Sequence, residues 1–131
     1  MDDTLNCNLT IRLFKGEKMF GPGIALLLRN IERTGSLLKA TEAMNMAYSK
    51  AWSMIKEIEK HWGFQLTYRD VGGQNGGGST LTPEGRYLLE RYESFAEEVR
   101  DKTEESFNKY FSEDFYRNLE EFQTGRTKEE R

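Results

Sequence analysis

The run Thr34-Gly35-Ser36-Leu37-Leu38-Lys39-Ala40-Thr41-Glu42-Ala43-Met44-Asn45-Met46-Ala47-Tyr48-Ser49-Lys50-Ala51-Trp52 decides the fold. Gly35 can end one helix in a left-handed conformation, and Ser36 can cap the next by accepting from an unpaired backbone N–H. That second helix is short, Leu37 to Met44, with Leu37, Ala40 and Met44 facing inward. Asn45-Met46 makes a tight turn, because asparagine tolerates the left-handed backbone such turns require. A third helix then runs from Ala47 to Trp62 and stops before Gly63. Two helices joined by so short a turn form a helix-turn-helix.

Working outward, the segment before it reads as a helix from Pro22 to Arg33 that buries Ile24, Leu27, Leu28 and Ile31. Proline in its first turn costs nothing, since the missing N–H would have no partner there. Before that helix, Leu9, Ile11 and Leu13 alternate with Thr10 and Arg12, the period of a half-buried strand over Asn8–Phe14, and Lys15-Gly16-Glu17-Lys18 turns the chain. After the third helix comes a strand from Gln65 to Arg69, then Val71-Gly72-Gly73-Gln74-Asn75-Gly76-Gly77-Gly78-Ser79-Thr80, then Leu81. Six of those ten loop residues are glycine or asparagine, which suits a sharp bend between paired strands. Thr82 caps a final helix with Pro83 in its first turn, and no stop signal occurs before Ser112, so the helix extends from Pro83 to Phe111. The fold is mainly α with a small β-hairpin wing: a winged helix-turn-helix over residues 1–82, then a long dimerisation helix and charged tail over residues 83–131.

A chain of 131 residues with one cysteine, Cys7, forms one domain and an appended helix with no internal disulfide. The lone thiol and the lack of a charged n-region and apolar h-region predict a cytoplasmic location, and no run is apolar enough to span a membrane. The net charge of −3 conflicts with anion binding until it is divided along the chain. Residues 1–83 hold 10 Lys and Arg against 8 Asp and Glu, whereas residues 84–131 hold 9 against 14. Contacts to a polyanion therefore belong in the first two-thirds.

On a helical wheel, Ser49, Ser53, Lys56 and Lys60 fall in one stripe of the third helix, with Lys50 and Glu57 at its edge. Ala47, Ala51, Met54, Ile55, Ile58 and Trp62 lie opposite. Hydroxyls and ammoniums on one face suit phosphates and base edges in a major groove, although any surface helix carries a polar face. The short preceding helix and the wing favour the DNA reading. The glycine loop resembles a phosphate-binding loop in outline only: Gly78 stands where the lysine belongs, and Thr80–Thr82 leads into a strand rather than a helix. His61 has no second histidine or nearby cysteine to share a metal, and nothing positions Glu97-Glu98 or Glu104-Glu105 for acid–base work. The expectation is a non-enzyme without metal or cofactor.

Phe20-Gly21-Pro22-Gly23, Thr34-Gly35-Ser36, Ala47-Tyr48-Ser49-Lys50-Ala51-Trp52, the glycine loop and Leu81-Thr82-Pro83-Glu84-Gly85 together resemble the N-terminal domain of the molybdate-responsive repressor family, ModE, a relative of LysR-type regulators. The resemblance covers residues 20–95. It implies a bacterial, operator-binding dimer with the third helix in the major groove, the wing along a neighbouring groove, and a link to molybdenum-related genes. Ala47 and Gln74 depart from the pattern, where the family usually has a capping serine and a wing lysine. Residues 96–131 cannot form the family's molybdate-binding domains, so molybdate sensing is not implied.

The DNA-facing set expected from these readings is Ser36 and Lys39 on the second helix, Tyr48, Ser49, Lys50, Ser53 and Lys56 on the third, and Arg69, Gln74 and Asn75 in the wing. Along the last helix Leu88, Tyr92, Phe95, Val99, Phe107, Tyr110 and Phe111 recur at three- and four-residue steps, a seam predicted to pair with a second copy. The first half of that seam can instead cover the domain's own core. The alternative function is a protein-interaction module that keeps the fold without binding DNA, which the acidic balance, Ala47 and Gln74 would fit.

Overall fold

The computed structural model describes residues 3–70 and 78–129. Helix α1 spans Pro22–Thr34 and ends at Gly35, whose φ of 73° is the left-handed stop expected of it. Helix α2 spans Leu37–Ala43, and the Ser36 hydroxyl accepts from the Lys39 backbone N–H at 3.1 Å. Asn45 takes a φ of 53°, turning the chain into α3, Tyr48–Trp62. Strands β3, Thr67–Asp70, and β4, Gly78–Leu81, pair antiparallel with Thr67 opposite Leu81. Helix α4 follows over Pro83–Tyr110 and α5 over Glu113–Glu129.

The first strand differs from expectation. Only Leu13–Lys15 (β1) is strand, and it pairs with Lys18–Phe20 (β2), which sequence reasoning left within a turn and its sequel. Lys15 sits opposite Lys18 across a two-residue loop, and glycine at position 16 accepts the φ of 64° that this loop requires. Residues 8–12 are irregular; Ile11 is held there by its carbonyl, which accepts from the Tyr92 hydroxyl at 2.7 Å.

The chain divides into two compact units, Thr10–Ala96, and Met1–Leu9 with Glu97–Arg131. The first half of α4 buries Gly85, Leu89, Tyr92 and Ala96, one face at helical spacing, and so packs within the larger unit rather than beginning a separate one. In the larger unit Phe20 is fully buried, with Tyr92 edge-on at 5.2 Å and Trp62 tilted at 6.0 Å. Around it lie Ile24, Leu27, Leu28 and Ile31 from α1, Leu37 and Ala40 from α2, and Ala51, Ile55 and Ile58 from α3. Ion pairs join α1 to α4: Glu32 takes Arg29 and Arg86, each at 2.8 Å, and Arg29 also bonds Glu93. That Glu93 hydrogen bond raises the Arg29 pKa above its ordinary value.

In the smaller unit α5 replaces the charged tail that was expected. Phe115, Leu119 and Phe122 have helical spacing, and the Phe115 N–H bonds the Ser112 carbonyl at 3.0 Å in its opening turn. Phe107, Phe111, Phe115 and Tyr116 form a continuous aromatic run with centroid separations of 5.1–5.2 Å.

Candidate nucleic-acid interface

The site is built on α3, whose inward residues Ala51, Ile55 and Ile58 fix its rotation against the core. That rotation leaves Ser49, Lys50, Ser53, Lys56 and Lys60 exposed, as the wheel requires. Ala47 is not on the opposite, inward face: it is the exposed N-cap of α3, without a side-chain bond to the first turn. Alanine has no acceptor to offer there, so the helix begins on its backbone alone.

Three sets of contacts tie α3 and α2 to the wing. The Arg69 guanidinium on β3 donates to the Tyr48 hydroxyl at the start of α3. Glu59 accepts from the Leu66 N–H at 2.7 Å and also holds Lys56 at 3.2 Å. On β4 the Ser79 N–H donates to the Gly35 carbonyl at 2.9 Å, and Ser36 bridges to Gly78. The α1–α2 turn thus extends the sheet of β3 and β4, which ties β4 to the cap of α2.

The N-terminal hairpin reaches the other side of α3. Lys18 bonds Glu57 at 3.2 Å, above an apolar groove of about 440 Å³ lined by Met19, Ile24, Met54 and Ile58, with Lys50 and Ser53 at its edge. The hydrogen bond and charge of Lys18 hold the Glu57 carboxyl below its ordinary pKa. Glu57, the one acid beside the stripe, is thereby neutralised by a cation from outside the helix. The His61 ring nitrogen Nδ1 lies 3.0 Å from the Glu57 carbonyl, within its own helix.

Of the expected DNA-facing residues, Tyr48, Ser49, Lys50, Ser53, Lys56 and Arg69 come together along α3 and its junction with β3. Ser36 and Lys39 sit at the start of α2. The Ser36 oxygen is occupied by the cap, which leaves its O–H proton available to a phosphate. Gln74 and Asn75 lie outside the described residues. Sequence reasoning did not single out Glu59, whose position one residue from Ile58 on the inward side is itself the signal that a carboxylate there needs partners. It also passed over Trp52 and Tyr68, which flank a second groove of about 300 Å³ between α3 and β3.

The start of the expected seam follows the alternative reading, in which its first half covers the domain's own core. Tyr92 is only 3% exposed and belongs to the core, and Leu88 packs against the same core. Phe95, Tyr110 and Phe111 are exposed, and Val99 and Phe107 half-buried.

Three helices, a tight left-handed turn between the second and third, and a hairpin tied to both define a winged helix-turn-helix domain. Residues 26–86 match the model of the bacterial regulatory helix-turn-helix protein, lysR family. Over 85 residues the chain is 33% identical to the transcriptional regulator ModE of Haemophilus influenzae, covering 65% of this chain and 33% of that one. Over 90 residues it is 32% identical to the DNA-binding transcriptional dual regulator ModE of Escherichia coli, covering 68% and 34%. It is also 32% identical over 77 residues to the molybdenum-pterin-binding protein MopB of Rhodobacter capsulatus, covering 59% and 28%. The chain spans about a third of the length of these curated relatives. Among solved structures, ArgP from Mycobacterium tuberculosis shares the fold, with a TM-score of 0.50 and 21% identity over 65% of this chain and 30% of that one. The winged helix-turn-helix of this chain is thus similar to the lysR-family helix-turn-helix and to part of the ModE regulators.

Proposed function

We propose that this chain is a homodimeric, sequence-specific DNA-binding regulator of transcription that acts in the cytoplasm on molybdenum-related genes. The observation that carries the reading is the bracing of α3 by the wing and by the α1–α2 turn, which presents Ser49, Lys50, Ser53 and Lys56 on one exposed face. The relatives named as ModE regulators, and one named for molybdenum-pterin binding, support the biological setting. Base edges are met by the first turns of α3, and phosphates by Ser36, Lys39 and Arg69 with Gln74 and Asn75 of the wing loop. The chain works by binding alone, with no catalytic residue and no cofactor. Dimerisation uses the distal half of α4, through Phe95, Val99, Phe107, Tyr110 and Phe111.

The test is a fluorescence-anisotropy titration of the full chain on promoter fragments of its own operon and of molybdate-transport genes. Affinity should fall with rising salt and fall further in Lys50→Ala. Binding to none of these fragments, together with recovery of a protein partner by pull-down, would favour the protein-interaction module instead.

A further inference from the structure

Trp52 is the anomaly of the α3 face. Its side chain is 41% exposed although it is the largest apolar group on a helix whose other outward residues are polar. It lies in the second turn of α3, three residues after Ser49 and four before Lys56, inside the span that meets base edges in a helix-turn-helix. It is no part of the core cluster, so the fold does not require an indole there. The ring is nonetheless held in place. The Lys56 ammonium lies 5.4 Å from its centroid, and Glu59 holds that ammonium at 3.2 Å. One wall of the α3–β3 groove is therefore an ordered apolar plate beside Leu37 and Tyr68. Lys56, paired with Glu59 and stacked on the ring, offers less charge to a phosphate than its place in the stripe suggests.

We infer that Trp52 is a specificity residue of the recognition helix, its indole packing on the 5-methyl group of a thymine in the major groove. Thymine is the base whose major-groove edge carries a methyl group, and an apolar side chain distinguishes it by burying that methyl. The inference rests on the DNA-binding reading above. Exposure of the ring in the unbound protein leaves apolar surface in water, which the methyl contact removes.

The experiment uses the full chain and a duplex enriched by it from a randomised library. Each thymine of that duplex is replaced singly by deoxyuridine, which deletes the methyl and leaves every hydrogen-bonding group. Wild-type protein should lose about fourfold in affinity at one position per half-site, the worth of one buried methyl. Trp52→Ala should bind more weakly and show no loss at that same position, while Lys50→Ala should bind more weakly and keep it. Circular dichroism checks that both variants are folded. Equal uracil losses in wild type and Trp52→Ala, or no thymine at which wild type loses affinity, would overturn the inference while leaving DNA binding intact. Failure to enrich any duplex would overturn the DNA-binding reading, and the inference with it.

Discussion

Gly85→Ala should destabilise the domain although it places the best helix former inside a helix. A Cβ at position 85 would lie 2.3 Å from the Leu66 carbonyl oxygen, with the Leu66 carbonyl carbon and Cα at 3.0 and 3.1 Å. Backbone cannot rotate away as a side chain can. Ordinary contact begins at 3.4 Å, so α4 and the start of the wing must part by about 1 Å. The same carbonyl accepts from the Thr82 N–H at 3.0 Å, and the Thr82 hydroxyl, which caps α4 through the Gly85 N–H at 2.8 Å, donates to the Gln65 carbonyl at 2.6 Å. Overpacking costs about 2 kcal/mol and a weakened backbone bond about 1, against about 1 regained from helix propensity. The net loss of about 2 kcal/mol lowers a urea midpoint by about 1 M at an m-value of about 2 kcal/mol/M. Gly125→Ala is the matched control, because among the described residues nothing outside its chain neighbours and its own helix backbone lies within 4 Å of its added Cβ in α5. It should slow amide exchange in α5 by up to about fivefold, the worth of about 1 kcal/mol of propensity. A Gly85→Ala protein as stable as wild type would refute the close approach of α4 to Leu66.

Three further outcomes follow from the interface. Lys50→Ala should reduce the salt slope of DNA binding by about one phosphate contact, and Lys56→Ala by less, because Lys56 is already paired with Glu59; anisotropy at several salt concentrations measures both. Ser36→Ala should cost about 1 kcal/mol of stability and Ser36→Gly only a few tenths, yet both should lose the same phosphate contact, so thermal melts separate them and binding does not. Because Lys18 lowers the Glu57 pKa in the folded chain, their bridge contributes above the ordinary glutamate pKa and is lost as pH falls through the folded value. Lys18→Met should move the Glu57 carboxyl titration, followed by carbon NMR, upward toward the ordinary glutamate range, with Lys60 and His61 still holding it down in part.

What the sequence revealed and what it hid follow from the range of the forces involved. Gly35, Ser36, Asn45, Thr82 and the inward residues of α1 act within a few positions of themselves, so caps, turns and helix faces were readable from order alone. Tyr92 was ambiguous, since a seam of apolar residues looks the same whether a core or a partner covers it. Its ring lies on Phe20, 72 residues away in sequence, and no local pattern announces that pairing. The β1–β2 hairpin was missed because its strands are three residues each, too short to alternate. In α5 the spacing of Phe115, Leu119 and Phe122 was present, but the many charges around it read as tail. The bracing of α3 by Glu59, Arg69 and Lys18 is hidden for the same reason as Tyr92: each contact joins separate elements.

The charge balance of the interface bears on the proposed pairing of two copies. Lys18 is spent on Glu57 and Lys56 on Glu59, which leaves Lys39, Lys50, Lys60 and Arg69 as cations without a salt bridge among the described residues of α2, α3 and the wing. Four phosphate contacts give a salt slope of about −3.6, a loss of about 150-fold between 50 and 200 mM salt. One domain so equipped should hold DNA only weakly at physiological ionic strength. Two domains acting together double the slope to about −7, within the range of operator-binding dimers. Under the proposed function, replacing Phe107 and Phe111 with Glu should therefore do more than yield a monomer in sedimentation. The variant should keep the wild-type fold of Thr10–Ala96 yet show half the salt slope. A monomeric variant whose slope equals that of wild type would mean that each domain already carries the full set of phosphate contacts, and dimerisation would then have to serve something other than affinity.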